Sequence, residues 1–175
     1  MTYKYSMDEA LSVAKRSSSD IEKYLHSIKS TISVTNVEDE PSYQEKDIDL
    51  LWVYKDDHGN EHEITIEIKG DRWENTGNYF FETISNKSKG TPGCFMYTEA
   101  IYVYYYFVNI KELHRIPVEK ARRWFLDNID KFKESETSTP VGNGEKYITV
   151  GRLVPKKMIQ EAIPEIRVKS LKELI

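Results

Sequence analysis

The strongest constraint on the fold lies in residues 47–71, where two alternating runs of apolar and polar side chains flank a short polar turn. This pattern is typical of a β-hairpin. Centring the turn on His58 places Asp49 opposite Glu67. A slip of one residue would mix apolar and polar side chains on both faces, so the pattern predicts this register.

The two faces of the predicted hairpin differ in chemistry. One face is apolar and carries Ile48, Leu50, Trp52, Ile64, Ile66 and Ile68. The other face carries Asp49, Glu67 and Lys69, with Asp47 opposite Lys69. Directly opposed like charges destabilise a sheet, because their Cβ atoms are only about 4.5 to 5.5 Å apart. The opposition of Asp49 and Glu67 therefore requires some compensation.

Two interpretations account for these carboxylates. In the first, Asp49 and Glu67 bind Mg²⁺ or Mn²⁺, since such ions take a few carboxylates together with waters and substrate phosphate. In the second, they belong to the solvated face of a strand, and Glu67 pairs with a neighbour. Short motifs of the Glu-x-Lys type also arise by chance. Spacing alone leaves both interpretations open.

The same residues carry a resemblance to a known family. Asp49, followed after 17 residues by Glu67-Ile68-Lys69 on a strand, resembles the PD-(D/E)XK nuclease superfamily. The segment GDRWENTGNYFFETIS is similar to phage-encoded members, in which a Gly-Asn pair opens a strand that carries another Glu. The resemblance covers roughly residues 20–110. It implies a restriction-endonuclease-like fold and Mg²⁺-dependent cleavage of DNA, with Asp49 and Glu67 as metal ligands and Lys69 orienting or activating the attacking water. From its positive charge, we expect Lys69 to be an electrostatic stabiliser and not a general base.

Glu82 is a further catalytic candidate. It lies on the same side of its predicted strand as Phe80 and Ile84, where an unpaired charge is unfavourable. The phage members that the segment resembles carry a Glu at this place. Glu82 therefore either points at the metal site or lies on an open face, and the resemblance favours the catalytic site.

The sequence leaves the roles of three more acidic residues open. Asp20 either adds an acid to the site from the N-terminal helix or caps a helix. Asp47 either assists Asp49 or pairs with Lys69. Asp71 lies on the side of Glu67 and Lys69 if the strand continues, but Gly70 interrupts the strand pattern before it, so we expect a turn residue.

Charge is distributed unevenly along the chain. Residues 1–70 hold 8 Lys and Arg against 15 Asp and Glu, a net charge of -7, whereas residues 71–175 hold 17 against 14, a net charge of +3. Because each phosphate contact requires a cation, a DNA-binding surface is expected in the second part. The candidates are Lys87, Lys89, Arg115, Arg122 and Arg123. For any single one of them, ordinary surface solvation is the alternative.

The remaining segments indicate an α/β fold with a central mixed sheet flanked by helices. Apolar residues in 7–30 recur at helical spacing, with an expected break or kink around 17–20. Residues 100–110 are apolar or aromatic except for Asn109, which predicts a central strand covered on both faces. Further segments are predicted as a helix at 118–133, a loop at 134–144, a strand at 146–155 and a short helix at 155–163.

Length and composition suit one globular domain over residues 1–175, with 39% apolar and 31% charged residues. The longest apolar run, Ala100–Val108, is far shorter than the roughly 20 residues that span a bilayer. Cys94 is the only cysteine, which suits a reducing compartment. We expect a cytoplasmic protein with no membrane partner.

These observations favour a metal-dependent endodeoxyribonuclease with DNA as its partner. A junction-resolving nuclease is the alternative within enzymes, and it would be expected to act as a homodimer. Two alternatives lie outside catalysis. One is an inactive nuclease fold that binds nucleic acid or a protein partner, and the other is a structural phage protein whose hairpin is simply polar.

Overall fold

A computed structural model describes residues 3–4 and 6–175 of the protein, which form an α/β fold. Its elements are β1 (Tyr3–Lys4), α1 (Met7–Ser27), β2 (Thr31–Asn36), α2 (Pro41–Gln44), β3 (Leu50–Lys55), β4 (Glu61–Asp71), β5 (Asn78–Asn86), β6 (Thr91–Pro92), α3 (Cys94–Tyr97), β7 (Tyr102–Phe107), β8 (Glu112–Pro117), α4 (Val118–Asn128), β9 (Lys133–Gly142), β10 (Glu145–Pro155), α5 (Lys156–Ala162) and β11 (Arg167–Ser170). Short 3₁₀ helices cover Glu74–Thr76 and Ile129–Lys131. No helix within these ranges is long and apolar enough to cross a membrane.

The chain divides into two compact units. The first unit takes the described residues up to Ser12, together with Asn75–Tyr97 and Glu119–Pro164. The second unit takes Val13–Glu74, Thr98–Val118 and Glu165–Ile175. That all 175 residues act as one domain stays a prediction.

A mixed sheet forms the second unit, as the sequence predicts. Its strand order is β11-β8-β7-β4-β3-β2. The β4–β7 pair is parallel, and the other pairs are antiparallel. Strand β7 lies inside the sheet and is buried from Val103 to Phe107, which confirms the predicted central strand. Its run of aromatic residues suits a strand that is covered on both faces. Strand β8 was not predicted.

The hairpin of β3 and β4 has the predicted register. Leu50 pairs with Ile66, and the ladder continues regularly to the pair of Lys55 and Glu61. Asp56 fixes the turn, because its Oδ1 accepts the backbone N–H groups of His58 and Asn60, each at 2.9 Å. The alternation of side chains and a closed turn together select this pairing.

The ladder is shorter than predicted at its open end. It begins at Leu50, three residues after Asp47. Asp47 has a φ of 55°, which is a left-handed conformation and not that of a strand. Asp47 is therefore not a ladder partner of Lys69, and that part of the sequence prediction is wrong.

Helix α1 packs on the apolar face of this sheet. Ile21 and Leu25 are fully buried in one cluster with Leu50, Ile66 and strand β7. The helix runs without interruption from Met7 to Ser27, so the predicted break at 17–20 is wrong. Ser17 stays helical because it is buried and its hydroxyl donates to the carbonyl of Val13 at 2.7 Å. Tertiary packing here overrides the weak helix propensity of serine.

The first unit contains a second sheet with the strand order β1-β9-β10-β5-β6. Its core is aromatic: the Phe81 and Phe95 rings stack with centroids 3.8 Å apart, and Phe125 meets both edge-on. Strand β9 pairs with β10 almost along its full length. The predicted loop at 134–144 is therefore wrong, whereas the strand at 146–155 and the short helix after it are confirmed.

Candidate functional site

Asp49 is held in a fixed position at the start of β3. Its backbone N–H donates to the carbonyl of Ile66 at 2.9 Å, and its own carbonyl accepts from Val37 at 2.8 Å. The side-chain Oδ2 accepts the backbone N–H of Ile68 at 2.8 Å. Two chain segments therefore orient this carboxylate.

Glu67 lies on β4 and is almost entirely buried, with 7% of its surface exposed. Its carboxyl group hydrogen-bonds to the carboxyl group of Asp49. Its Oε2 atom is buried and has no hydrogen-bond partner among the described residues. Buried polar atoms are nearly always paired in folded proteins, so this oxygen is an exception that calls for an explanation.

Burial and neighbouring acids alter the ionisation of this pair. Burial raises the pKa of Glu67 well above its usual range, the carboxylates of Asp49 and Asp47 raise it further, and Lys69 opposes them. Burial also raises the pKa of Asp49. Both carboxyl groups therefore lose their protons less readily than isolated ones, Glu67 more strongly than Asp49, and the two titrate as a coupled pair.

Asp47 and Glu38 add further negative charge. A carboxylate oxygen of Asp47 lies within 4.8 Å of one of Glu67. Glu38 also has a raised pKa, caused by burial and then by repulsion from Asp49. The structure therefore brings four acids together in the second unit, and Glu38 was not among the sequence candidates.

Lys69 has an aromatic neighbour that the sequence analysis did not single out. It is aligned with Tyr105 in the parallel ladder of β4 and β7. The Tyr105 hydroxyl donates to Oδ2 of Asp71, and Oδ1 of the same carboxylate accepts the Trp73 backbone N–H at 2.6 Å. Strand β4 continues through Asp71, so the prediction that Asp71 is a turn residue is wrong.

Asp20 lies away from the acid cluster. It sits in the middle of α1, which excludes the helix-cap interpretation, and accepts the Tyr106 hydroxyl at 2.9 Å. Successive residues of a strand point to opposite faces. Tyr106 therefore faces α1, whereas Tyr105 shares the face of Lys69 and Glu67.

Glu82 belongs to the first unit. It lies on β5 opposite Gly151 of β10 and is half-buried. A Cβ atom on Gly93 would come within 2.4 Å of the Glu82 backbone, so the strand and the Gly93 segment pack tightly here. Its catalytic role stays a prediction.

Two of the candidate nucleic-acid residues follow strand β5. The Lys87 ammonium group contacts Glu136, which raises the lysine pKa. Lys89 is exposed in the turn, where its backbone N–H donates to the Asn86 carbonyl at 3.2 Å. Part of the Lys87 charge is therefore compensated locally.

The three arginine candidates have different surroundings. Arg122 is half-buried and its Nε donates to the carbonyl of Phe95 at 3.0 Å, whereas Arg123 is exposed and pairs with Glu119 at 3.1 Å on the same helix. Arg115 lies on β8 in the second unit, with its guanidinium 4.9 Å from the centre of the Tyr102 ring. Their contact with DNA stays a prediction.

The donor set of the acid cluster fits a hard divalent cation. Asp49 and Glu67 supply carboxylate oxygens, which Mg²⁺ and Mn²⁺ prefer, and Glu67 Oε2 is a buried acceptor with no hydrogen bond among the described residues. No protein-family model, curated protein or solved structure matches the chain. A function for this protein is therefore argued from the geometry of the cluster.

Proposed function

We propose that the protein is a metal-dependent phosphodiester hydrolase that cleaves DNA internally, with Mg²⁺ or Mn²⁺ held by Asp49 and Glu67. The observation that carries the proposal is the carboxyl pair of the buried Glu67 and the half-buried Asp49, with the unsatisfied Oε2 of Glu67. Leaving a buried acceptor unsatisfied costs about 1 to 3 kcal/mol. A bound cation would satisfy this oxygen, whereas a purely structural pair leaves it unsatisfied.

Asp49 and Lys69 have different roles in the proposed reaction. When bound, a divalent cation lowers the pKa of a bound water and neutralises charge on the phosphate oxygens. Asp49 is oriented by the Ile68 N–H, which restricts its carboxylate to one direction. Lys69 lies close enough to lower the pKa of Glu67, so its positive charge acts at the same place. We assign Lys69 to stabilising negative charge on the phosphate in the transition state.

The proposal is tested by cleavage of linear, branched and single-stranded DNA with Mg²⁺, Mn²⁺ or EDTA. Glu67→Gln and Asp49→Asn should reduce metal-dependent cleavage to background, and Lys69→Met should reduce it strongly. Glu63→Gln is the matched control, because Glu63 lies on the same strand and on the same side but is exposed. Equal activity of Glu67→Gln and Glu63→Gln would contradict the proposal.

Thermal melting measures the binding of the cation directly and needs no substrate. A ligand that binds only the folded state stabilises it, by about 2.7 kcal/mol at a concentration of a hundred times Kd. Mn²⁺ should therefore raise the melting temperature of the wild type and of Glu63→Gln, but not that of Glu67→Gln. If millimolar Mn²⁺ does not change the melting temperature of the wild type, the two carboxyl groups form only a structural pair.

A further inference from the structure

Two arginines oppose each other at the edge of the sheet in the second unit. Arg167 on β11 is the ladder partner of Arg115 on β8. Residues that are directly opposed in an antiparallel pair project to the same face, where like charges repel. Arg115 forms no ion pair with any carboxylate in the part of the chain that the structure describes. Its charge is thus available to an anion from outside the chain.

The Arg115 guanidinium is supported by aromatic rings. It stands over the Tyr102 ring at 4.9 Å, and its charge acts on Tyr104, whose pKa burial raises. Its Nε atom is buried and makes no hydrogen bond to described residues. The Tyr102 ring beneath the guanidinium holds it in one orientation by cation–π attraction, which prepares it to bind an anion.

Lys169 extends this positive surface. It lies two residues after Arg167 and thus on the same face of β11, with its Nζ 5.7 Å from the centre of the Tyr24 ring. All four residues of β11 are exposed, and β11 is the edge strand of its sheet. No described residue forms an ion pair with Lys169.

We propose that Arg115, Arg167 and Lys169 form a binding site for the phosphate backbone of a nucleic acid. Residues two apart on a strand are separated by about 6.6 Å, close to the axial spacing of every second charge on one DNA strand, about 6.8 Å. We call these three residues the edge cation site.

The edge cation site is separate from the acid cluster. Arg115 is aligned with Tyr104, which lies on the face that packs on α1, whereas Glu67 and Lys69 lie on the opposite face of the sheet. The site is therefore a second nucleic-acid contact and not part of the proposed cleavage centre. It holds nucleic acid whether or not the protein cleaves it.

The test is the binding of a short labelled DNA strand, followed by fluorescence anisotropy in EDTA over a range of salt concentrations. The variant Arg167→Gln with Lys169→Gln alters two exposed side chains, and Arg115→Gln is tested alongside it. The matched control is Lys15→Gln with Lys55→Gln, which removes the same charge from exposed positions elsewhere in the second unit.

The double variant should weaken binding about tenfold at low salt and reduce the slope of log K against log salt by about two. The control should change the affinity and the salt slope much less. Arg115→Gln should change both in the same direction as the double variant. Equal effects of the double variant and the control, or a wild type that does not bind DNA, would overturn the proposal. Equal competition by a polyglutamate peptide would instead assign the site to an acidic protein and would also overturn it. A wild type that binds DNA but does not cleave it would contradict only the proposed hydrolase function and would leave the edge cation site intact.

Discussion

Gly70 of β4 lies directly against Ser17 of α1: a Cβ atom on residue 70 would come within 2.3 Å of the Ser17 hydroxyl oxygen and 2.9 Å of Val13 Cγ1. The helix can approach the strand this closely only because residue 70 has no side chain. Gly70 directly follows Lys69, so this close helix–strand contact adjoins the acid cluster. The helix thereby fixes the backbone that presents Lys69.

Gly70→Ala should lower the free energy of unfolding by about 1 to 3 kcal/mol, because the added methyl group overpacks this contact. Adding Ser17→Ala removes the nearest atom and should recover part of the loss. Urea unfolding of the two single variants and the double variant measures this coupling. Strictly additive effects would show that the two residues do not compete for space.

The metal-free protein should lose stability as the pH rises above the usual glutamate range. The folded pKa of Glu67 is raised, so the folded protein holds its proton where the unfolded chain has already released it. The contribution of Glu67 to stability is therefore complete below the unfolded pKa of about 4.3. It is lost as the pH rises through the folded pKa.

Thermal melts in EDTA across this pH range check the prediction. Glu67→Gln should flatten the decline and increase stability at neutral pH, because the amide has no charge to bury. Glu63→Gln should keep the wild-type slope. The prediction fails if both variants decline as the wild type does.

Arg122 and Arg123 should differ in their effect on stability, although they are neighbours of the same charge. Arg122→Gln removes a charged donor from the Phe95 carbonyl and should cost about 1.5 to 3 kcal/mol. Arg123→Gln breaks an exposed pair within one helix and should change stability by less than about 0.5 kcal/mol. Urea unfolding compares them, and equal losses would mean that the Phe95 contact contributes little.

Tyr105→Phe should destabilise the protein by about 1.5 to 3 kcal/mol, because Asp71 then loses a hydrogen bond to its carboxylate. In an Asp71→Ala background the same change should cost much less. The four proteins form a double-mutant cycle measured by urea unfolding. A coupling energy near zero would indicate that the hydroxyl and the carboxylate do not interact in solution.

The part of the site that the sequence predicts is the local part. The opposition of Asp49 and Glu67 follows from a turn at His58 and from strict alternation, and both signals lie within one hairpin. Glu38 and Tyr105 could not be predicted in the same way. Glu38 approaches Asp49 through a connector, and Tyr105 lies beside Lys69 only because β4 and β7 pair across a long stretch of chain.

The sequence after β9 contains a signal for a hairpin turn, although β9 itself was predicted to be a loop. Its Ser- and Thr-rich sequence with Pro140 is typical of a loop. However, Asn143 and Gly144, with φ values of 51° and 77°, form the Asn-Gly turn that joins β9 to β10. Asn-Gly is a strong signal for a two-residue hairpin turn. Given this turn, pairing with the apolar β10 is enough to hold a polar segment in a strand.

The second unit is assembled from three separate stretches of the chain, and this sets the order in which it can form during synthesis. Strands β4 and β7 are parallel, so the chain must return across the sheet before β7 can join. The last fully buried contribution is Leu171, in the same cluster as Ile21 of α1, 150 positions earlier. The ribosome therefore releases α1 and β4 long before their apolar surface can be covered. Until then this surface is open to chaperones and to aggregation with other nascent chains.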